Sequence, residues 1–125
     1  MFDHLSLGVR DLVAARGFYD ALLAPLGASL VSAGDTEVSY GPGGLGAQFY
    51  LYPVAAGQVA GQGTHIALAA PTRLAVDAAF ALAVANGASV IRAAGSHPDI
   101  APDYYGAVFL DPDGNKLELV AGTMH

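Results

Sequence analysis

The chain has 125 residues, of which 54% are hydrophobic and 13% charged, with a formal net charge of −6 and no cysteine. A charged fraction well below the usual ~25% excludes a disordered or tail-like chain. The five cations (Arg10, Arg16, Arg73, Arg92 and Lys116) make no basic stripe, which excludes a nucleic-acid binder and argues against an anionic membrane surface. Disulfides, thiolate zinc sites and thiol catalysis are excluded for want of cysteine.

The length suits one domain with a real core. No apolar run reaches the ~18 residues of a membrane span, and residues 1–4 show no basic leader, so a cytoplasmic protein is expected.

Residues 2–9 alternate, with Leu5, Leu7 and Val9 on one face and His4, Ser6 and Gly8 on the other, the period of a half-buried strand. Asp11 suits a helix N-cap, and Leu12, Ala15, Tyr19, Leu22, Leu23 and Leu26 follow at helical spacing until Pro25 and Gly27 end the helix. Short strands are predicted at 28–33, 36–41 and 47–53, with a glycine-rich connection at 41–46. Residues 55–62 read as a linker between a first module at about 1–54 and a second at about 63–121.

The pattern then restarts. A strand at 64–70 precedes a helix capped by Thr72, striped by Val76, Ala79, Phe80 and Ala83, and closed by Gly87. Strands at 88–93, 104–110 and 115–121 follow, separated by a polar loop at 95–103 and the turn Asp111-Pro112-Asp113-Gly114. His4-Leu5-Ser6-Leu7 and His65-Ile66-Ala67-Leu68 open the two halves. Gly27-Ala28-Ser29-Leu30 and Gly87-Ala88-Ser89-Val90 follow each helix. Each half therefore reads β-α-β-β-β, a duplicated module. The expected class is α+β, two tandem βαβββ modules with mixed sheets curling into a cup.

Each helix must cover the aliphatic face of its own sheet. His4, His65, Glu118 and Gln48 with Tyr50 and Tyr52 then share the uncovered face. Two imidazoles and a carboxylate suit zinc, manganese, iron, nickel or cobalt and leave positions open for water or substrate. Glu118 stands among leucines in a strand, against local propensity, as functional residues often do. The plainer alternatives are hydrogen-bonded strand-end histidines and a Glu118 paired with Lys116. His97, in the polar loop, is a candidate lid residue for acid–base chemistry near neutral pH. Tyr104 and Tyr105 alternate, so only one enters the site, and Tyr105 is the candidate.

The stretches Asp3-His4-Leu5-Ser6-Leu7-Gly8-Val9 with Phe18-Tyr19, Gly63-Thr64-His65-Ile66-Ala67, and Phe109-Leu110-Asp111-Pro112-Asp113-Gly114-Asn115-Lys116-Leu117-Glu118 resemble the vicinal oxygen chelate superfamily of glyoxalases, bleomycin-resistance proteins and dioxygenases. The resemblance spans nearly the whole chain. It implies a cup around one divalent metal, with His4, His65 and Glu118 as ligands. A fourth ligand is implied from the fourth strand: Gln48 if Pro42 aligns with Pro112, Tyr50 if the glycine loop slips by two. It also implies homodimers, some with cups built from both chains.

The resulting expectation is a metal-dependent lyase, isomerase or dioxygenase-like enzyme. Its small substrate would offer adjacent oxygens to the metal and would be neutral or aromatic, given Gln48, Tyr50 and Tyr52 in the cup; Tyr50, Tyr52 and Tyr105 are the candidate pocket lining. Glu118 and His97 are its catalytic candidates. The five cations, expected mostly outside the cup, argue against a phosphonate or glutathione site. The alternative is a metal-free, drug-sequestering protein of the bleomycin-resistance type, for which the acidic pI is suitable.

Overall fold

The computed structural model describes residues 2–44, 46–58, 60 and 63–122. Part of the expected linker (59, 61 and 62) and Leu45 of the glycine loop lie outside the described residues.

Two βαβββ modules follow one another. The first holds β1 (Leu5–Val9), α1 (Leu12–Leu23), β2 (Ala28–Ala33), β3 (Val38–Pro42) and β4 (Phe49–Pro53). The second holds β5 (Ile66–Ala70), α2 (Arg73–Ala85), β6 (Ser89–Ser96), β7 (Tyr105–Leu110) and β8 (Lys116–Ala121). Their sheets have the matching orders β1-β4-β3-β2 and β5-β8-β7-β6, each with one parallel pair, β1 with β4 and β5 with β8. This is the tandem α+β arrangement expected from the repeat.

Local chemistry sets the helix ends as read. The Asp11 carboxylate accepts from the amides of Val13 and Ala14, and the Thr72 hydroxyl accepts from the amide of Ala75. A single 3₁₀ turn, Ala24–Leu26, finishes the first helix, and Gly27 takes the left-handed φ of 85° that a Cβ disfavours.

The aliphatic faces of both sheets and both helices form one core. Val9, Leu22, Leu51, Val76, Phe109, Leu117 and Leu119 are among its fully buried members. Within it α1 packs on α2, so the polar face of each sheet is the one turned away from the helices.

A polar bracket joins the modules inside this apolar contact. The Asp111 carboxylate, 3% exposed, accepts from the Tyr19 hydroxyl at 2.6 Å and from the amides of Asp113 and Asn115. Asn115 Nδ2 donates to Asp111 and, across the seam, to the Gly8 carbonyl at 2.9 Å. Arg10 Nε meets Asp113 Oδ1 at 2.7 Å. The Asp-Pro-Asp-Gly-Asn turn thus ties β8 to α1 and β1. Its acidic residues work in module packing, where each buried lone pair needs a donor.

Candidate functional site

The polar face of the second sheet gathers a compact cluster. Ala67 lies level with Glu118 across the parallel β5–β8 pair, so His65, two residues earlier, lies on the Glu118 face. Its Nε2 stands 3.5 Å from Glu118 Oε1. The other carboxylate oxygen, Oε2, accepts from the Tyr104 hydroxyl at 2.7 Å. Glu118 is therefore held from both sides, with a side chain only 16% exposed. No ion pair joins Lys116 to it among the described residues, although both side chains share a face.

Tyr104, rather than Tyr105, is the tyrosine of this cluster. Tyr105 shares strand parity with the core residues Ala107 and Phe109, so it turns toward α2, where its hydroxyl donates to Asp77 and Arg73 lies over its ring. Tyr104 shares parity with Gly106 and Val108, the partner of Glu118. It lies folded over Gly106, where an added Cβ would stand 2.6 Å from its hydroxyl and 2.1 Å from the Leu119 carbonyl. Burial first, then the bond to Glu118, raises the Tyr104 pKa well above the ordinary phenol value.

His97 packs against the Tyr104 ring, with centroids 5.8 Å apart, and its Nε2 lies 2.8 Å from the Ala93 carbonyl. That carbonyl is available because β6 is irregular. Arg92 pairs with Val108 but the next paired residue is Gly95, opposite Gly106, so an extra residue bulges between them. The bulge extends the strand to Ser96, into the expected loop. An earlier shift of the same kind, between Val90 and Arg92, sets Arg92 in one row with Val108 and Glu118, on the polar face.

The first sheet repeats the design with other side chains. His4 lies exposed just before β1, with Nδ1 2.6 Å from the Asp3 carboxylate and its ring edge-on to Tyr50 at 5.3 Å. Tyr50 stacks on Tyr52, whose hydroxyl donates to Glu37 at 2.9 Å. That bond raises the Tyr52 pKa. Ser6 pairs with Tyr50 as Ala67 pairs with Glu118, so Tyr50 stands where Glu118 stands in the second module.

Gln48 falls two positions short, next to an apolar groove of about 390 Å³ that Leu5, Leu23, Leu26, Phe49 and Leu68 also line. Two offsets of one residue separate the alignment on Pro42 and Pro112 from the folded register. Tyr40 pairs with Phe49 and Phe109 with Leu117, so the β3–β4 connection is one residue longer. The same pairing matches Pro42 to Asp111, not to Pro112.

A divalent ion is tested by this donor set. The Asp3 carboxylate at His4 Nδ1 leaves Nε2 for a ligand, as a carboxylate on the far nitrogen does for a metal-bound imidazole. The His65 imidazole converges on a Glu118 carboxylate already steadied by Tyr104. These nitrogen and oxygen donors fit a borderline divalent metal. Among the described residues, however, no three His, Asp or Glu side chains of one chain come together as a metal-holding group. The chain presents two part-sites, one on each sheet.

Paired βαβββ modules, each with a histidine at the mouth of its parallel strand pair, define a glyoxalase-like fold. The chain belongs to the glyoxalase/bleomycin resistance protein/dioxygenase superfamily, whose model matches residues 1–119. A glyoxalase/bleomycin resistance protein from Albidiferax ferrireducens is 32% identical over 98% of this chain and 99% of its own, with a TM-score of 0.83. A family enzyme from Burkholderia phytofirmans (20% identity, 95% and 96% covered, TM-score 0.73) shares the fold. So does a genomically encoded fosfomycin resistance protein from Listeria monocytogenes (19%, 99% and 94%, TM-score 0.72). No protein of curated function matches the chain. Among the described residues no helix is long and apolar enough to cross a membrane.

Proposed function

We propose that the protein is a divalent-metal-dependent enzyme, a lyase, isomerase or dioxygenase-like catalyst, acting on a small molecule with adjacent oxygens. The observation that carries this reading is the carboxylate of Glu118, held between Tyr104 and His65 on an otherwise open sheet face. A bound ion would supply Lewis-acid polarisation of the substrate oxygens. Glu118 is the group placed to take a proton from the substrate, and the Tyr104 hydroxyl steadies the oxygen that stays behind. His97, its Nε2 engaged by Ala93, holds the loop that carries Tyr104.

His4 would complete the ligand set from the other module. Because one chain does not gather the three groups, the reading places His4 of one copy opposite His65 and Glu118 of a second, in a homodimer. Tyr50, a weak ligand, would leave a three-ligand site open to substrate.

Metal content after loading and desalting tests the reading. Near-stoichiometric metal in wild type, lost in His65→Ala, is the expected result; a wild type that retains none under any loading overturns it. Mixing His4→Ala with His65→Ala chains distinguishes the geometries. A site shared between copies restores about half of the metal per mixed dimer, whereas a site within one chain restores none.

A second reading has its own observation. His4, Tyr50 and Tyr52 form a continuous aromatic run beside Glu37, a surface suited to a bulky cation. On that reading the protein sequesters its ligand without metal.

A further inference from the structure

We infer that Arg92 anchors a carboxylate-bearing ligand, and that Asp99 occupies this anchor as an internal surrogate while no ligand is present. The inference rests on the reading of the Glu118 face as the ligand site and names the chemistry of what binds there.

Arg92 was expected, with most of the cations, to lie outside the cup. The register shift between Val90 and Arg92 instead places it in the row Arg92–Val108–Glu118, two strands from the carboxylate, or roughly 10 Å along the sheet. The Glu118 carboxylate acts on it as well. Its guanidinium is held in the planar two-point manner that matches a carboxylate. Nη1 meets Asp99 Oδ1 at 3.2 Å and Nη2 meets Oδ2 at 2.8 Å.

The partner is well suited to be displaced. Asp99 lies on the connection between β6 and β7, and its side chain is 61% exposed, against 38% for Arg92. An exposed pair of this kind contributes little to stability, so exchanging one carboxylate for another costs little. The other cations do not offer the same site. Arg10 is engaged at the Asp111–Gly114 turn, Arg16 with Asp20 on α1, and Arg73 over Tyr105 on the helix side. Lys116 shares the face but lacks the two-point geometry.

A ligand anchored at Arg92 would lie across Val108 and Tyr104 and reach Glu118 and His65 with atoms several bonds from its carboxylate. The expected substrate is thus an anionic small molecule, in place of the neutral or aromatic one that Gln48, Tyr50 and Tyr52 imply.

The test is calorimetric titration of the metal-free protein with benzoate and with benzamide, its neutral isostere. Asp99→Asn frees the anchor and should tighten benzoate about threefold, as for a site self-occupied about two-thirds of the time. Benzamide should not respond. Arg92→Gln should abolish the benzoate response, and Lys116→Gln should leave it unchanged. Equal binding of benzamide, no gain in Asp99→Asn, or loss with Lys116→Gln rather than Arg92→Gln overturns the inference. Asp99→Asn alters an exposed residue, so the comparison stands even if Arg92→Gln fails to fold. Because no metal is present, a negative result here leaves the metal-loading result untouched.

Discussion

Tyr50 and Glu118 occupy the same place in the two modules, each level with the residue two after the module's opening histidine. One partner of the pair is a carboxylate with a fixed orientation; the other is an aromatic ring set edge-on to its histidine. The duplicated scaffold therefore carries a chemical asymmetry. One module offers an imidazole and a carboxylate, the other an imidazole and a stacking surface.

Restoring the symmetry should strengthen metal binding. Tyr50→Glu places a second carboxylate beside His4, as Glu118 stands beside His65. We expect tighter metal retention than wild type in competition with a chelator, together with loss of aromatic-ligand binding to the first sheet. Metal affinity equal to or below that of wild type would show that the two part-sites do not meet around one ion.

Tyr104→Phe tests the other side of Glu118. The ring keeps its place over Gly106, so the fold should persist, but Oε2 loses its donor. Outer-shell losses of this kind cost about tenfold or more in metal affinity. We expect that loss in chelator competition with an unchanged far-ultraviolet spectrum. Unchanged affinity would confine the hydroxyl to a packing role.

The two-module order was legible because both helices and most strands carry a clear period, and because the same landmarks, His4 and His65, Gly27 and Gly87, recur at spacings of 61 and 60 residues. Strand ends were less so. The alternation at His4, Gln48 and His65 continues past the last ladder bonds, and β1, β4 and β5 begin two or three residues later than the pattern suggests. The two register shifts of β6 left no such signal, since neither Val90-Ile91-Arg92 nor Arg92-Ala93-Ala94-Gly95 has an alternation to interrupt, and the placement of Arg92 followed from the first of them. Tyr104 could have been found. Its shared parity with Gly106 and Val108, and that of Tyr105 with Ala107 and Phe109, is present in the sequence once Phe109 is set in the core. Choosing between Gln48 and Tyr50 required the length of a connection, which pattern alone does not measure.

The Asp111–Asn115 turn has a role separable from chemistry. Tyr19→Phe removes a 2.6 Å hydrogen bond to a buried carboxylate. Bonds to charged groups of this kind are worth about 1.5–3 kcal/mol. We expect a loss of that size in urea unfolding, with metal retention unchanged because neither residue faces Glu118. A metal-binding defect in a folded Tyr19→Phe chain would mean that the bracket positions the site as well as the modules.

Alkaline pH should unfold the protein through three tyrosines. Burial, reinforced by Asp111 for Tyr19, by Asp20 for Tyr40 and by Glu118 for Tyr104, raises each phenol above the value of about 10 that it has in an unfolded chain. The folded chain thus holds protons that the unfolded chain releases. Their stabilising contribution is complete below pH ~10 and is lost as pH climbs toward the raised folded values. Each retained proton steepens the loss by up to about 1.4 kcal/mol per pH unit. Absorbance at 295 nm should show these three phenols ionising together with the loss of ellipticity. Tyr40→Phe should flatten the alkaline slope while leaving its onset near the same pH. Stability independent of pH between 10 and 12 would show that the three hydroxyls are open to solvent.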